Sequence, residues 1–466
     1  MTSRSEPASA RWTPRESSVF LGLAERDITP PPDIRARNWG AAPGDFADGI
    51  HRPLLAKALA FLDGSEGWRY LLSVDLGWWQ SHDVFASFHE PLCRELEVDA
   101  DRVLLHLVHT HAGPSVNDRD PGLPGVEDVR EYGDRVLDQL VAVCAQAREC
   151  ASDMIITWAY GASDIAVVRD LPCGDRDVIG FNPTEKPDNT VLIGRIVGAA
   201  TRETVGVIVN YACHPTVLAW ENELVSPDFV GATREVVEAE TGAMCLFLQG
   251  ASGDLGPRHT GDTRTADRLG RALGHAALAT LGAMEEPATS VVFDAVLESG
   301  APLGVWRATY DTPPSERQWV ATAVDLDVRP MLTPKEAALR WADITPRAAE
   351  ERVRRAGRLA LGYSDGARAA HPLFVWRIGD AVLVAQPGEA YSLLQTELRR
   401  RHPRFAVAVL NLTNGPGFMY LPPADAYDRD RYQVWQTLLA RGSLERVIDA
   451  ADDIIASLPP ARDVVA

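Results

Sequence analysis

Short apolar runs rich in β-branched residues alternate along most of this chain with longer segments of helical periodicity. The runs at 70–76, 102–108 and 244–250 have the length and composition of buried strands, whereas 229–241 and 265–284 place apolar residues at helical spacing. Strands that alternate with helices bury their apolar faces by stacking the helices on a sheet. The sequence therefore predicts an α/β fold in which a mixed β-sheet core is flanked by helices.

The chain carries neither an internal repeat nor a low-complexity linker that would divide it. We therefore expect a single domain over residues 19–466, preceded by a disordered lead-in over residues 1–18 that has no apolar stretch typical of a secretion signal. Within the domain, the helical segment 334–361 is expected to break at Pro346, because proline cannot continue a helix ladder. A further helix is expected to begin at Glu389.

The charge of the chain limits its partners. Its 65 acidic and 46 basic residues give a net charge of −19, which repels nucleic acid and anionic membranes. A small-molecule substrate is therefore expected, with no nucleic-acid partner and no stable membrane association. The six cysteines form no CxxC pair, and we expect reduced thiols in a cytoplasmic protein. No feature of the sequence specifies an oligomeric state.

Three histidines fall close together in the segment Leu104–Ser115, just before a Gly-Pro pair that ends the predicted strand. Alternation along a strand places His109 and His111 on one face and His106 on the other. A His-x-His pair at a strand end presents two imidazoles to one centre, so metal binding or catalysis is favoured over a simple hydrogen-bonded pair. His106 faces apolar neighbours, and packing is the interpretation that we favour for it.

Other polar features follow apolar strands in the same way. His214 ends one strand, Glu389 follows a Pro-Gly turn, Tyr420 ends a Gly-Pro-Gly loop, and Asp254 lies in a Gly-rich turn. Each has an ordinary explanation, since a first-turn Glu complements the helix dipole, a loop Tyr packs, and an Asp caps a turn. Because all of them follow strands, the sequence predicts a metal-assisted site at one edge of the sheet.

With these motifs in place, the chain resembles the neutral/alkaline (non-lysosomal) ceramidase family. The resemblance covers most of the chain and keeps the order of the motifs. The segments that carry it are LGLAERDITPP (21–31), GIHRPLLAKALAF (49–61), VHTHAGP (108–114), NYACHP (210–215), FLQGASGDLGP (247–257), QPGE (386–389) and GFMYLPPADAYDRDRY (417–432).

The resemblance implies a ceramidase-like catalytic domain with one zinc site. Its metal ligands on the matching positions are His109, His214, Glu389 and Tyr420. It further implies that the pocket beside the metal contains His111, Arg169 and Tyr432.

Two departures from the family pattern bear on the reaction. In the Gly-Asp-x-Ser-Pro motif of the family, the serine position is here Gly256, which has no hydroxyl, and Ser252 lies too far along the backbone to replace it. The resemblance also ends soon after Tyr432, which predicts a short cytoplasmic form without the family's C-terminal immunoglobulin-like domain. Both departures favour a substrate other than ceramide.

The hypothesis from the sequence is therefore a zinc-dependent hydrolase of a C–N amide bond in a small or medium substrate that is uncharged or cationic. Without a serine, a water activated by the metal is the simplest nucleophile. His111 would transfer the proton, Arg169 and Tyr432 would orient the substrate, and Asp254 is either a base or, as we favour, a turn cap. The alternatives are an ester or lactone hydrolase, a zinc lyase or isomerase, and a binding protein with an altered site.

Overall fold

The predicted alternation of strands and helices is present in the folded chain. The computed structural model describes residues 10–358, 363–364, 366–416 and 419–462.

The strands in chain order are β1 (Arg11–Trp12), β2 (Arg15–Asp27), β3 (Leu55–Leu62), β4 (Trp68–Val74), β5 (Val103–Leu107), β6 (Ser152–Ala162), β7 (Ala166–Val168), β8 (Asp170–Cys173), β9 (Arg176–Ile179), β10 (Thr190–Gly198), β11 (Thr204–Tyr211), β12 (Met244–Gln249), β13 (Leu255–Pro257), β14 (Thr289–Leu297), β15 (Leu303–Tyr310), β16 (Arg317–Asp327), β17 (Arg368–Ile378), β18 (Ala381–Ala385), β19 (Glu389–Ala390), β20 (Ala406–Leu410) and β21 (Tyr420–Leu421). The α-helices are α1 (His82–Glu95), α2 (Val126–Glu149), α3 (Phe229–Thr241), α4 (Thr263–Gly282), α5 (Pro334–Arg340), α6 (Pro346–Arg358), α7 (Leu393–Arg401), α8 (Tyr432–Trp435) and α9 (Ser443–Ser457).

The larger sheet is mixed and has the order β12-β11-β10-β6-β2-β3-β4-β5. Its two edge pairs, β4–β5 and β11–β12, are parallel, and the pairs between them are antiparallel. One face is covered by helices, since α1 and α2 pack with one half of the sheet and α3 and α4 with the other. Gly22 on β2 permits the close approach of α2, because a Cβ atom there would lie 1.7 Å from the carbonyl oxygen of Ala147.

A second sheet lies on the other face of the first. It has the order β16-β17-β18-β20, and its inner side chains share one buried cluster with those of the larger sheet, where Trp376 and Leu383 meet Ile196 and Leu246. The outer face of this sheet packs with α7 and α9. The layers thus run helix, sheet, sheet, helix, which confirms the predicted mixed α/β architecture. Within the described part of the chain, no helix combines the length and apolar character required to cross a membrane.

The predicted break at Pro346 is confirmed, because α5 ends at Arg340 and α6 begins at Pro346. Residues 359–361 of that predicted segment lie outside the described residues. Thr333 closes the start of α5 as a capping box with Glu336, whose carboxylate accepts from the Thr333 backbone N–H.

Two predicted boundaries are wrong. Residues 11–18 are not a disordered lead-in, because they form β1 and the start of β2, where Ser17 pairs with Ile156 and donates to the Ile378 carbonyl. Residues 1–9 of the predicted lead-in lie outside the described residues. Glu389 does not begin a helix either, because it pairs with Tyr420 in the two-stranded parallel ladder of β19 and β21, and α7 begins only at Leu393.

Candidate metal centre

The two histidines of the His-x-His pair converge, although not by strand alternation. β5 ends at Leu107, and His109 has a left-handed backbone with φ of +76°. The turn brings the Nε2 atoms of His109 and His111 to 3.4 Å from each other. His109 Nδ1 lies 2.9 Å from the carbonyl oxygen of Gly77, which follows the neighbouring parallel strand β4. The ring is therefore oriented by the ends of two adjacent strands.

The third imidazole comes from the other end of the sheet. His214 follows β11, and its Nδ1 donates to the carbonyl oxygens of Ser252 and Leu255 at 2.7 and 3.0 Å. Ser252 lies in the Gly-rich turn after β12, the parallel neighbour of β11, and Leu255 begins β13 directly after that turn. The ring centroids of His109 and His214 are 4.8 Å apart.

The predicted carboxylate ligand lies between these rings. Glu389 Oε2 is 2.9 Å from His214 Nε2 and 3.3 Å from His109 Nε2. Tyr420, paired with Glu389 through the backbone, stacks on the His214 ring at 6.5 Å between centroids. All four predicted metal ligands therefore meet in one place.

The tautomers of His109 and His214 indicate what the space between these rings and Glu389 can bind. Both Nδ1 atoms face carbonyl oxygens, which only accept, so each Nδ1 carries a hydrogen. In the neutral ring, the Nε2 lone pairs of His109 and His214 then point toward a carboxylate oxygen, which is also a lone-pair donor. Burial lowers the pKa of His214 to about 4, and the ring is therefore neutral near pH 7. Three lone pairs that converge in a buried space repel one another unless a cation lies among them.

The spacing also fits a metal ion. Ligands about 2.0 Å from a tetrahedral ion lie roughly 3.3 Å from one another, and Glu389 Oε2 lies 2.9 Å from His214 Nε2 and 3.3 Å from His109 Nε2. The ring nitrogens of His109, His111 and His214 all lie within 4.8 Å of one another, so this group could hold a metal ion. His111, for which the sequence predicted a catalytic role, thus lies within the same cluster as the predicted ligands. Its Nδ1 is buried without a hydrogen-bond partner, and burial with the neighbouring imidazoles lowers its pKa well below the ordinary value.

His106 lies apart from this group, in the packing position that the sequence favoured. Its Nε2 accepts from the Gln249 backbone N–H at 2.9 Å, and its Nδ1 faces the Asn411 carbonyl oxygen at 2.9 Å. The side chain of Gln249 in turn donates to the Cys213 carbonyl and to the Ser252 hydroxyl. His106 therefore supports, through Gln249, the two loops that orient His214, and it does so with both nitrogens satisfied.

Arg169 is buried beside the cluster. Its Nη2 donates to the Tyr420 hydroxyl at 3.0 Å and, with Nε, to the Gly253 carbonyl. Burial would lower the pKa of this guanidinium, but Tyr420 and Glu389 raise it. A serine at position 256 would lie against this arginine, because a Cβ atom on Gly256 would be 3.4 Å from Arg169 Cδ, which is ordinary contact.

Asp254 has a different environment. Its carboxylate accepts from the backbone N–H and the hydroxyl of Ser392, just before α7, and it is not among the residues that line the cavity at the metal centre. Burial raises its pKa to about 6. These contacts tie the Gly-rich turn to α7, as expected for the capping alternative.

Several residues at the centre were not singled out from the sequence. A cavity of about 30 Å³ beside the imidazoles is lined by Arg355 and Gln436 together with Tyr432. Arg355 comes from α6 and donates to the Tyr432 hydroxyl at 2.7 Å. No local motif marks α6 as part of the site, because its contact with Tyr432 depends on the fold.

Two of the tryptophans also belong to the site. Trp78 and Trp39 lie 4.8 and 5.2 Å from the His111 ring, measured between centroids. In the sequence Trp78 directly follows Gly77, at the end of a strand, which is the one signal that would have placed it here. The imidazole cluster is thus enclosed on one side by aromatic rings, which limits the access of water.

Comparison with known proteins supports the fold. No family model and no curated protein match the sequence. A solved structure described as "Ceramidase complexed with C2" matches with a TM-score of 0.67 and 17% identity, covering 97% of this chain and 77% of that chain. The neutral ceramidase from Pseudomonas aeruginosa matches with a TM-score of 0.66 and 17% identity over the same shares. The predicted resemblance is therefore confirmed in the structure, and the chain has a ceramidase-like fold.

Proposed function

We propose that this protein is a zinc-dependent hydrolase of a C–N amide bond in a small or medium substrate other than ceramide. The observation that carries the proposal is the convergence of two imidazole lone pairs and one carboxylate oxygen, each oriented by backbone contacts, at the wall of a cavity. Sites with nitrogen and carboxylate ligands of this kind suit zinc.

His109, His214 and Glu389 would hold the ion, with Tyr420 as a further ligand. When bound, zinc polarises a carbonyl group and lowers the pKa of a coordinated water to about 7. Gly256 leaves the position of the family's serine without a hydroxyl, so no side chain there competes with water for the substrate carbon.

His111 is the proton-transfer group of the proposal. It is neutral, its Nδ1 has no protein partner, and it lines the cavity. Trp78 and Trp39 fix the plane of its ring. A neutral imidazole held in this way accepts a proton during attack and returns it to the leaving amine, whose departure requires protonation.

Arg169 supplies a fixed positive charge beside the Tyr420 ring. Because its guanidinium is anchored to the Gly253 carbonyl, it does not need to reorganise when negative charge develops on the substrate oxygen. Its hydrogen bond to the Tyr420 hydroxyl sets the orientation of that phenol. Tyr432, whose ring centroid is 5.5 Å from that of Tyr420, would orient the substrate at the entrance.

The proposal is tested with a panel of amides, each paired with the matching ester. Purified protein is assayed as isolated, after chelation, and after zinc is returned, and the products are analysed by mass. We expect amide hydrolysis that chelation abolishes and zinc restores, and that His109→Ala reduces to background. His275→Ala, which changes an exposed histidine on α4, is the matched control and keeps full activity.

Hydrolysis of the esters alone would replace the amide assignment with that of an esterase or lactonase. A product that has not gained water would indicate a lyase or isomerase. A fully loaded protein that converts no member of the panel would overturn the reaction while leaving the metal centre in place.

A further inference from the structure

The cavity at the metal centre continues outward through two larger cavities. A space of about 270 Å³ shares His111, Tyr420 and Tyr432 with the inner cavity. A third, of about 440 Å³, shares Tyr432, Trp435 and Arg352 with the second. Tyr432 lines all three cavities, so they form one path from the imidazoles to the surface.

Aromatic rings follow this path outward. The centroid of Tyr432 lies 5.5 Å from Tyr420 and 5.0 Å from Trp435, and the centroid of Trp435 lies 5.0 Å from Trp341. The guanidinium of Arg352, on α6, lies over both indoles, at 4.9 Å from Trp435 and 5.3 Å from Trp341. Stacking on aromatic faces holds a guanidinium in one plane while its N–H donors stay available.

The acidic residues of the outer two cavities are already paired with arginines. Asp177 is bound by Arg429 and Arg431, each at 2.6 Å. Asp430 lies 3.1 Å from Arg340. These carboxylates therefore do not neutralise Arg352.

Glu351, the third acidic residue, pairs with Arg354 and Arg355. Among the described residues, Arg352 has no carboxylate within ion-pair distance. Burial is the first cause that lowers the pKa of Arg352; Tyr432 opposes it, and the charges of Arg355, Arg176 and Arg340 add to it. These three arginines and the paired carboxylates leave an excess of positive charge around Arg352. In a chain of net charge −19, this local excess is opposite in sign to the whole.

We propose that Arg352, held over Trp341 and Trp435, binds a carboxylate of the substrate, so that the amide bears a negatively charged group on the side that extends toward the surface. This inference rests on the proposed function for the position of the scissile bond, and it revises the uncharged or cationic substrate that the sequence suggested. The aromatic rings along the path contact the apolar or planar part of the substrate.

Hippurate and N-benzoylglycinamide form a matched pair of probes for this inference. Both contain the same benzoyl amide, and only hippurate carries a carboxylate. Their binding is measured by titration calorimetry on the metal-free full-length chain, where neither is turned over, so the result does not depend on hydrolysis. The variants are Arg352→Gln, Arg352→Lys and, as a control for net charge, Arg264→Gln, whose side chain is 91% exposed on α4.

We expect the unmodified protein to bind hippurate at least about tenfold more tightly than the neutral amide. Arg352→Gln should reduce this preference to less than about twofold, Arg352→Lys should retain part of it, and Arg264→Gln should leave it unchanged. If Arg352→Gln does not fold, a reduced preference in Arg352→Lys carries the test.

Equal binding of the two probes by the unmodified protein would overturn the inference. A preference that survives Arg352→Gln would overturn it as well, because it would place the carboxylate elsewhere, for example at Arg169. Zinc-dependent hydrolysis of N-benzoylglycinamide at the rate of hippurate, together with equal binding, would reject the anionic substrate and still support the proposed function.

Discussion

Glu389 and Tyr420 are paired residues of a two-stranded parallel ladder, and their side chains both reach the imidazole cluster. The Glu389 backbone N–H donates to the Met419 carbonyl at 2.8 Å, and the Tyr391 N–H donates to the Leu421 carbonyl at 3.1 Å. Two predicted metal ligands are therefore fixed by backbone hydrogen bonds and not by flexible loops, which lowers the entropic cost of assembling the centre.

Replacing the carboxylate should weaken metal binding strongly. Glu389→Gln keeps the shape of the side chain but removes the negative charge that lies between the imidazoles of His109 and His214. We expect zinc affinity, measured by competition with a chromophoric chelator, to fall at least about 100-fold, since even indirect partners of a metal contribute tenfold or more. Glu127→Gln, on the exposed surface of α2, serves as the control, and equal affinity of the two variants would contradict the assignment.

His106 and His109, which lie in the same segment Leu104–Ser115 but differ in role, should be distinguished by experiment. His106→Ala leaves the Gln249 N–H without its partner in a buried place and removes one donor from the Asn411 carbonyl, so the free energy of unfolding should fall by about 1–3 kcal/mol. His109→Ala should cost less stability in the metal-free protein and should abolish zinc binding. Chemical denaturation and zinc titration of both variants provide the comparison, and the reverse pattern would exchange the two roles.

Position 256 should tolerate the serine that the family carries there. Gly256→Ser places its Cβ in ordinary contact with Arg169, so the free energy of unfolding should change by less than about 1 kcal/mol and zinc should still bind. Gly22→Ser is the contrasting variant, because its Cβ would overlap the Ala147 carbonyl oxygen and force α2 away from the sheet. Thermal unfolding distinguishes them, and similar losses in both would mean that the loop at 256 is packed differently.

The loss of stability at acidic pH should depend in part on Glu351. Burial opposes its charge, but Arg355 and Arg354 lower its pKa from 4.5 to about 2. A carboxyl group with a depressed pKa in the folded state stabilises the protein above its unfolded pKa, and this contribution is lost as the pH falls from 4.5 through about 2. At pH 6, the free energy of unfolding of the unmodified protein should therefore be higher than that of Glu351→Gln by up to about 3 kcal/mol.

That difference should shrink steadily as unfolding is measured at lower pH, and it should be nearly absent at pH 2. A difference that is independent of pH would show that Glu351→Gln loses packing contacts and not an ion pair. Glu351 would then not be the residue that balances the charge of Arg355.

Local patterns predicted much of the fold. The helix at 229–241 was expected with its observed ends, because its apolar periodicity stops at Gly242, which has the left-handed conformation of a helix C-cap. β2 was not singled out, although it lies within the larger sheet. It includes the buried Glu16 and Ser17, one on each face of the strand, which bind partners distant in sequence and so break the apolar pattern of a core strand.

The sequence predicted those site residues that lie in short local motifs. It did not predict features that depend on contacts between segments distant in the chain. The resemblance named the four candidate ligands, and the structure brings them together. Glu389 was assigned to a helix because its strand partner, Tyr420, lies far along the chain. Alternation was the wrong reason for the convergence of His109 and His111, since the positive φ of His109 cannot be read from a histidine in the sequence. Arg355 and Arg352 reach the site because α6 packs beside it. The residue pattern of α6 predicts a helix but not the part of the protein on which that helix packs.

Zinc titration of the chelator-treated protein tests the central claim most directly. The account predicts about one tightly bound ion per chain, and it predicts that His109→Ala and His214→Ala each abolish this binding while His275→Ala does not. A chain that takes up no zinc, or that binds it equally well after His109 and His214 are replaced, would contradict the account.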